Sequence, residues 1–136
     1  MEISKEILQD MADQLDFGLR CFFNINTDEV VAFPDDSQLQ MESEIWETEK
    51  EKLYDDFDNF KEVKNISSSE GFELMAEFTN TINDNNLKRN LIQALEGHKP
   101  FVNFKHQIEQ SDNYRKKWFA FKNDRLIESI LRELDD

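Results

Sequence analysis

Aromatic and basic side chains alternate between Gly97 and Lys122, and this segment is the most distinctive part of the chain. Its aromatic members are Phe101, Phe104, Tyr114, Trp118, Phe119 and Phe121. The candidate binding set within it consists of Lys99, Lys105, Arg115, Lys116, Lys117 and Trp118. Proteins bind single-stranded nucleic acid by stacking bases on aromatic rings while cations neutralise the phosphates, and this segment carries both residue types.

A second interpretation places the same rings in the core, with the bases at its rim, where they pair with the acidic helix described below. Phe101 and Phe104 lie three residues apart, as do Trp118 and Phe121. This spacing is typical of one face of a packed helix. The pattern therefore favours a core over an exposed groove, and both interpretations are carried forward.

Five carboxylates recur at helical spacing in the most acidic stretch of the chain, residues 35–62. They are Glu44, Glu47, Glu51, Asp55 and Asp58. A helix is predicted over residues 38–58, with a narrow apolar stripe of Ile45, Trp46, Leu53 and Phe57, and the five carboxylates would share another face of it. Such a face would attract a basic partner, although a merely solvated surface explains the same pattern. One charge per ~5.4 Å turn is too sparse to imitate duplex DNA, which carries one per ~1.7 Å.

Cysteine and histidine, two residue types that commonly carry catalysis or bind metals, are few and scattered. Cys21 lies among aromatic residues of a predicted strand, which indicates a buried and inert thiol. His98 and His106 are eight residues apart, whereas a zinc site needs clustered Cys and His. The three glycines are isolated, so no phosphate-binding loop is predicted. We expect no metal and no cofactor, and we keep an enzyme with a dispersed site as a minor alternative.

Length and charge limit the class of protein. The chain has 136 residues, with 16 basic and 30 acidic side chains and a net charge of −14, and this length predicts a single domain over residues 1–136. Residues 1–84 hold 22 acids and six bases, while residues 85–136 hold eight acids and ten bases. The absence of a long apolar run, of a secretory signal and of a second cysteine predicts a cytoplasmic protein.

The order of the elements predicts an α+β fold. A first helix is expected after Ser4, ending before a left-handed Gly18, and a β-hairpin follows over residues 19–33 with its turn at 26–29. A third strand is predicted over residues 60–66, and Ser67 with Glu70 indicates a capped helix. Three more helical regions follow, separated by a left-handed Gly97 and by Ser111 or Asp112. We therefore expect a mostly helical domain, with five or six helices packed on a small antiparallel sheet of two or three strands.

The C-terminal motif resembles the signature of a known family. Gly97-x-x-Pro100-Phe101-x-x-Phe104-Lys105, followed by Trp118-Phe119-x-Phe121, is similar to the pattern of small acidic bacterial proteins classified only as an uncharacterised protein family. An early hairpin with Thr27-Asp28 at its turn and the step Met75-x-x-Phe78 also resemble this family, although Asp28 stands where the family has Gly. The resemblance extends from about Leu19 to Leu134. It implies a bacterial, cytoplasmic, single-domain protein and brings no catalytic residue with it.

The leading functional hypothesis is a non-enzymatic protein-interaction or regulatory module with a protein partner. Its basis is the uneven distribution of charge together with the scarcity of catalytic patterns. Nucleic-acid binding through residues 98–122 is the main alternative, and the net charge disfavours it because the field of the whole molecule repels polyanions. The sequence leaves the oligomeric state open.

Overall fold

The computed structural model, which describes residues 2–35, 44 and 46–135, contains helices and one small sheet. Within these residues there are six α-helices and three strands, so the predicted α+β class is confirmed. In chain order they are α1 (Lys5–Asp16), β1 (Arg20–Asn24), β2 (Val30–Phe33), α2 (Glu47–Asp55), β3 (Phe60–Val63), α3 (Ser68–Thr79), α4 (Asn85–Glu96), α5 (Pro100–Glu109) and α6 (Asp112–Asp135). A 3-10 turn, Phe57–Asn59, separates α2 from β3.

Short polar side chains begin three of the helices. The Ser4 hydroxyl accepts the Ile7 N–H at 3.2 Å, and the Ser67 hydroxyl accepts the Glu70 N–H at 3.2 Å, as the sequence predicts for both serines. An Asp84 carboxylate oxygen does the same for α4. Each of these bonds satisfies one backbone donor that the first helical turn leaves without a partner.

Three of the described residues adopt the left-handed backbone region: Asp28 in the hairpin, Gly18 and Lys99, and the last of these is not where the sequence placed it. Gly18 has a φ of +94° after α1, as predicted. The prediction for Gly97 is wrong, because its φ is −94° and the left-handed residue is Lys99, with a φ of 53°. Two bonds from Asn103 hold that turn: its side-chain amide donates to the His98 carbonyl at 2.7 Å, and its backbone N–H donates to the Lys99 carbonyl at 3.1 Å.

The three strands form one antiparallel sheet in the order β2-β1-β3. Phe22 of β1 lies opposite Val31 of β2 and Glu62 of β3. At the hairpin turn, the side-chain oxygen of the buried Asn24 accepts the backbone N–H groups of Asn26 and Thr27 at 2.9 and 3.1 Å. A local bond of this kind replaces the ladder bonds that the turn cannot make.

The predicted helix over residues 38–58 is too long. Within the described residues α2 begins at Glu47, and it ends at Asp55 because the Asp56 carboxylate is held by Asn24 and Asn59 at 2.7 Å each and the chain turns towards β3. The predicted helical residues 38–43 and the predicted stripe residue Ile45 lie outside the described residues. The third strand also ends earlier than predicted, at Val63.

The chain divides into two units, each with its own apolar packing. Unit 1 comprises residues 1–65 and 126–136, and unit 2 comprises residues 66–125. In unit 1, the sheet and α2 bury a cluster of Phe22, Val31, Phe33 and Leu53, with Trp46 and Phe60 against it. In unit 2, helices α3 to α6 bury Met75, Phe78, Ile82, Leu91, Phe104 and Ile108. The single-domain prediction stays a prediction.

Candidate interaction surfaces

Carboxylates line the exposed face of α2 in unit 1. Glu47, Glu51 and Asp55 occur four residues apart on this helix and are exposed. Residues at this spacing share one helix face. Glu44 precedes the helix, and Asp58 lies in the 3-10 turn, so the predicted continuous face of five carboxylates on one helix is wrong in its extent.

Negative charge is concentrated in one of the two units. Unit 1 holds 22 acidic and seven basic side chains, a net charge of −15. Unit 2 holds eight acidic and nine basic side chains, a net charge of +1. Each unit therefore has its own electrostatic character, which the net charge of −14 for the chain conceals.

The Trp118 ring packs in the core of unit 2. Its centroid lies 5.0 Å from that of Phe104 and 5.3 Å from that of Phe78, within the range of favourable aromatic pairs. Phe121 packs against the same cluster. Phe101 and Phe119 differ, because 46% and 58% of their surfaces are exposed. The core interpretation is therefore correct for Trp118, whereas Phe101 and Phe119 are exposed to solvent.

Asp112, at the first residue of α6, binds two of the candidate cations. One carboxylate oxygen lies 2.7 Å from the Arg115 guanidinium and the other lies 3.3 Å from the Lys116 ammonium. The hydrogen bonds from Arg115 and then Lys116 hold the pKa of the Asp112 carboxyl below its usual range. This carboxylate partly neutralises the charge that both bases would offer to an anion.

The other candidate bases are also exposed. The Lys105 ammonium lies 4.0 Å from a Glu109 carboxylate oxygen, and the Lys117 ammonium lies over the Tyr114 ring at 5.1 Å from its centroid. Lys99 occupies the left-handed turn before α5. Exposed pairs of this kind add little stability and exchange readily with solvent.

The cysteine and the histidines occupy different environments. Cys21 is fully buried in β1, and burial, reinforced by the nearby carboxylates of Asp10 and Glu62, raises the pKa of its thiol to about 12. His98 and His106 are exposed. No group of three or more His, Cys, Asp or Glu side chains in the described part of the chain is arranged to hold a metal ion.

The outer edge of β2 presents backbone groups, and sequence reasoning missed this feature. The Asn24 N–H donates to the Glu29 carbonyl at 2.8 Å, which makes these two residues a hydrogen-bonded pair. Because such pairs alternate along an antiparallel ladder, Val31 bonds to β1, whereas the N–H and C=O groups of Val30 and Ala32 point away from it. We call these outward groups the β2 edge. No sequence signal identifies it, since the strand order decides which strand is an edge.

A cleft of about 410 Å³ lies beside the β2 edge. Its lining residues are Asp10, Gln14, Val30, Ala32, Trp46 and Glu49. The indole N–H of Trp46 is buried and has no hydrogen-bond partner among the described residues. A buried donor without an acceptor is unfavourable and uncommon in folded proteins, and this one belongs to a residue that lines the cleft.

A second cleft, of about 280 Å³, lies beside β3, and its lining includes an internal ion pair. The Arg20 guanidinium binds both carboxylate oxygens of Glu62 at 3.1 Å and stacks over the Phe22 ring at 5.1 Å from its centroid. This two-point bond fixes both side chains. The arrangement joins β1 to β3 and was not predicted from the sequence.

Comparison with known proteins gives a family match and one curated relative. The model of an uncharacterised protein family, UPF0158, matches residues 3–136. A UPF0158 protein of Pseudomonas aeruginosa is 30% identical over 71 residues, which are 52% of this chain and 46% of that protein, so the match spans about half the length of the relative. No solved structure matches. No helix in the described residues is long and apolar enough to cross a membrane.

Proposed function

Because the chain belongs to the uncharacterised protein family UPF0158, which comes with no stated activity, we propose its function from the structure: a non-enzymatic, cytoplasmic interaction module whose unit 1 binds a basic protein partner. The observation that carries this proposal is the concentration of negative charge, −15 in unit 1 against +1 in unit 2. A field of one sign over one unit accelerates encounter with a partner of the opposite sign and disfavours other partners.

The exposed carboxylates of α2 give this field a defined surface. Glu47 and Glu51 have no basic partner among the described residues, and the same is true of Asp55. Their charge is therefore available to another molecule. Binding through such groups speeds association and weakens with added salt.

Nucleic-acid binding by the segment 98–122 receives less support. Trp118, the largest ring of the segment, packs against Phe78 and Phe104 and does not stand free for stacking on a base. Arg115 and Lys116 already bind Asp112. This alternative is retained as an outcome of the experiment below.

The experiment is a chemical cross-linking capture from a bacterial lysate, performed with and without nuclease. We expect cross-links from a basic protein to lysines of unit 1, such as Lys50 and Lys52. The triple variant Glu47→Lys, Glu51→Lys, Asp55→Lys should abolish them, because it reverses the charge of the α2 surface. Capture that disappears with nuclease, or with Lys116→Glu in place of the triple variant, would instead favour nucleic acid and contradict the proposal.

A further inference from the structure

We propose that the β2 edge binds an extended basic segment of the partner protein, which adds a fourth strand to the sheet. This inference rests on the proposed function, since it names how unit 1 holds its partner. It begins from the backbone: the outward N–H and C=O groups of Val30 and Ala32 make no hydrogen bond to the described residues. An unpaired strand edge is a template for another strand, and peptide recognition commonly uses it.

The opposite edge of the sheet, β3, differs from the β2 edge because another element bonds to it. Applied to β3, the same alternation directs the Lys64 N–H outward, and that group donates to a carboxylate oxygen of Glu133 in α6 at 2.8 Å. The Lys61 ammonium also donates to the Glu133 backbone carbonyl. The end of α6 therefore occupies the border of β3, whereas among the residues that the structure describes the border of β2 faces the cleft.

The side chains around the cleft define the chemistry of the added strand. Val30 and Ala32 share one face of β2 with α1 residues Asp10 and Gln14 nearby, while Trp46 packs with the cluster on the other face. Successive side chains of an added strand point to alternate faces. Apolar side chains of the added strand would contact Val30 and Ala32 on one face or Trp46 on the other.

Charge decides between a basic and an acidic segment. Asp10 and Glu49 stand on the two helices that border the cleft, so a basic side chain on either face of the added strand meets a carboxylate. Asp10 has no basic partner in the described residues, and its carboxylate is engaged by Gln14 at 3.3 Å. Glu49 is paired with Lys52 on the surface at 3.3 Å, a contact that an incoming cation can replace. The occupant that fits is a segment in which Lys or Arg alternates with Val or Ile.

The test uses the full chain and a fluorescein-labelled peptide, Lys-Val-Lys-Val-Lys-Val, with Glu-Val-Glu-Val-Glu-Val as the acidic control. We expect only the basic peptide to bind, as measured by fluorescence anisotropy at low salt. Hydrogen exchange of the Val30 and Ala32 amides, followed by NMR, should slow at least tenfold on binding, because these two donors enter the new ladder. The Trp46 indole N–H signal should shift with them.

Variants separate edge pairing from general attraction to an acidic surface. Ala32→Pro removes an outward donor without removing a bond to β1. It should therefore weaken the binding of the basic peptide at least tenfold while the sheet persists. Asp10→Lys should weaken it more than Asp55→Lys, which changes the net charge equally but lies away from the cleft. If Ala32→Pro does not fold, two measurements still test strand addition: hydrogen exchange in the wild type, and the comparison of Asp10→Lys with Asp55→Lys.

Two results would overturn the inference. If the basic peptide binds but leaves the Val30 and Ala32 amides exchanging freely, and Asp10→Lys equals Asp55→Lys, the acidic surface attracts the peptide without strand addition. The proposed function would then stand, while the edge inference fails. If the basic peptide does not bind at all, the edge inference fails as well, and the cross-linking capture alone decides the proposed function.

Discussion

The Trp118 ring is the residue at which the two interpretations of the aromatic segment give opposite stability predictions. Because Trp118 packs between Phe104 and Phe78, we expect Trp118→Ala to destabilise the protein by about 3 kcal/mol, at the lower end of the usual range for a large aromatic since the ring is only partly buried. Urea unfolding measures this loss. The neighbouring Phe119→Ala is the control, because Phe119 is 58% exposed and its loss should cost less than ~1 kcal/mol. Equal losses for the two variants would contradict the core assignment.

Asp56 is the residue whose ionisation is tied to the fold around the hairpin. Its carboxylate accepts the side-chain amides of Asn24 and Asn59 at 2.7 Å, and these two bonds lower its pKa from the ordinary value of 3.8. A lowered pKa in the folded state means that this carboxylate stabilises the fold above pH 3.8, and that the stabilisation is lost as the pH falls through the folded value.

Carbon-detected NMR titration of Asp56 checks this shift. We expect a midpoint below 3.8 in the wild type and a higher one in Asn59→Ala, which removes one of the two bonds. Asn65→Ala is the control, because the Asn65 side chain donates to the Leu15 carbonyl instead. A midpoint that does not move in Asn59→Ala would show that the two amides do not set the pKa.

At the scale of the element, the β1–β2 hairpin depends on an unusual backbone angle. Asp28 has a φ of 63° and donates its N–H to the Asn24 carbonyl at 2.9 Å. Asp tolerates the left-handed region better than most residues, whereas a β-branched side chain clashes there. Asp28→Val should therefore destabilise the protein by about 1–2 kcal/mol. Asp28→Gly should cost nothing, because glycine adopts positive φ without a clash, and equal stability of the two variants in urea would contradict the strained turn.

Elements whose limits are set by adjacent residues were predicted well. Ser4 and Ser67 cap helices through bonds to residues three positions later, so their starting points can be read from the sequence. Gly18 likewise ends α1 in the left-handed region because glycine alone lacks the Cβ that opposes it. Local chemistry of this kind needs no knowledge of the rest of the fold.

Elements limited by distant residues were predicted poorly. The α2 helix ends where Asp56 turns to bind Asn24, which is 32 positions away in the sequence. β3 ends at Val63, and the outward amide of the next residue, Lys64, binds Glu133, which is 69 positions away in the sequence. Neither partner is visible in a local pattern, and the β2 edge escaped prediction for the same reason, since it depends on the order of the strands.

At the scale of the whole molecule, the negative charge of unit 1 has opposite effects on binding and on stability. The 22 acidic side chains of unit 1 repel one another in the folded state, with only seven bases to offset them. Self-repulsion of this kind destabilises a compact state, and salt relieves it because the screening length falls from ~30 Å at 0.01 M to ~3 Å at 1 M. The charge that attracts a partner therefore weakens the unbound fold.

Thermal unfolding at two salt concentrations tests whether charge repulsion destabilises the fold. We expect the Tm to rise by about 4 °C between 0.02 and 0.5 M NaCl, which corresponds to roughly 1 kcal/mol for a chain of this length. The triple variant Glu47→Gln, Glu51→Gln, Asp55→Asn should start from a higher Tm at low salt and gain less from added salt. It removes three like charges from the unit where they repel most.

A matched variant keeps this prediction specific to unit 1. Glu73→Gln, Glu96→Gln, Asp124→Asn removes three exposed carboxylates from unit 2 and changes the net charge of the chain by the same amount. Because unit 2 holds nearly equal numbers of both signs, these carboxylates are attracted by as much charge as repels them, and their loss should leave the salt dependence close to that of the wild type. If the two triple variants gain stability equally, the repulsion belongs to the chain as a whole, and the division of charge between the units has no consequence for its stability.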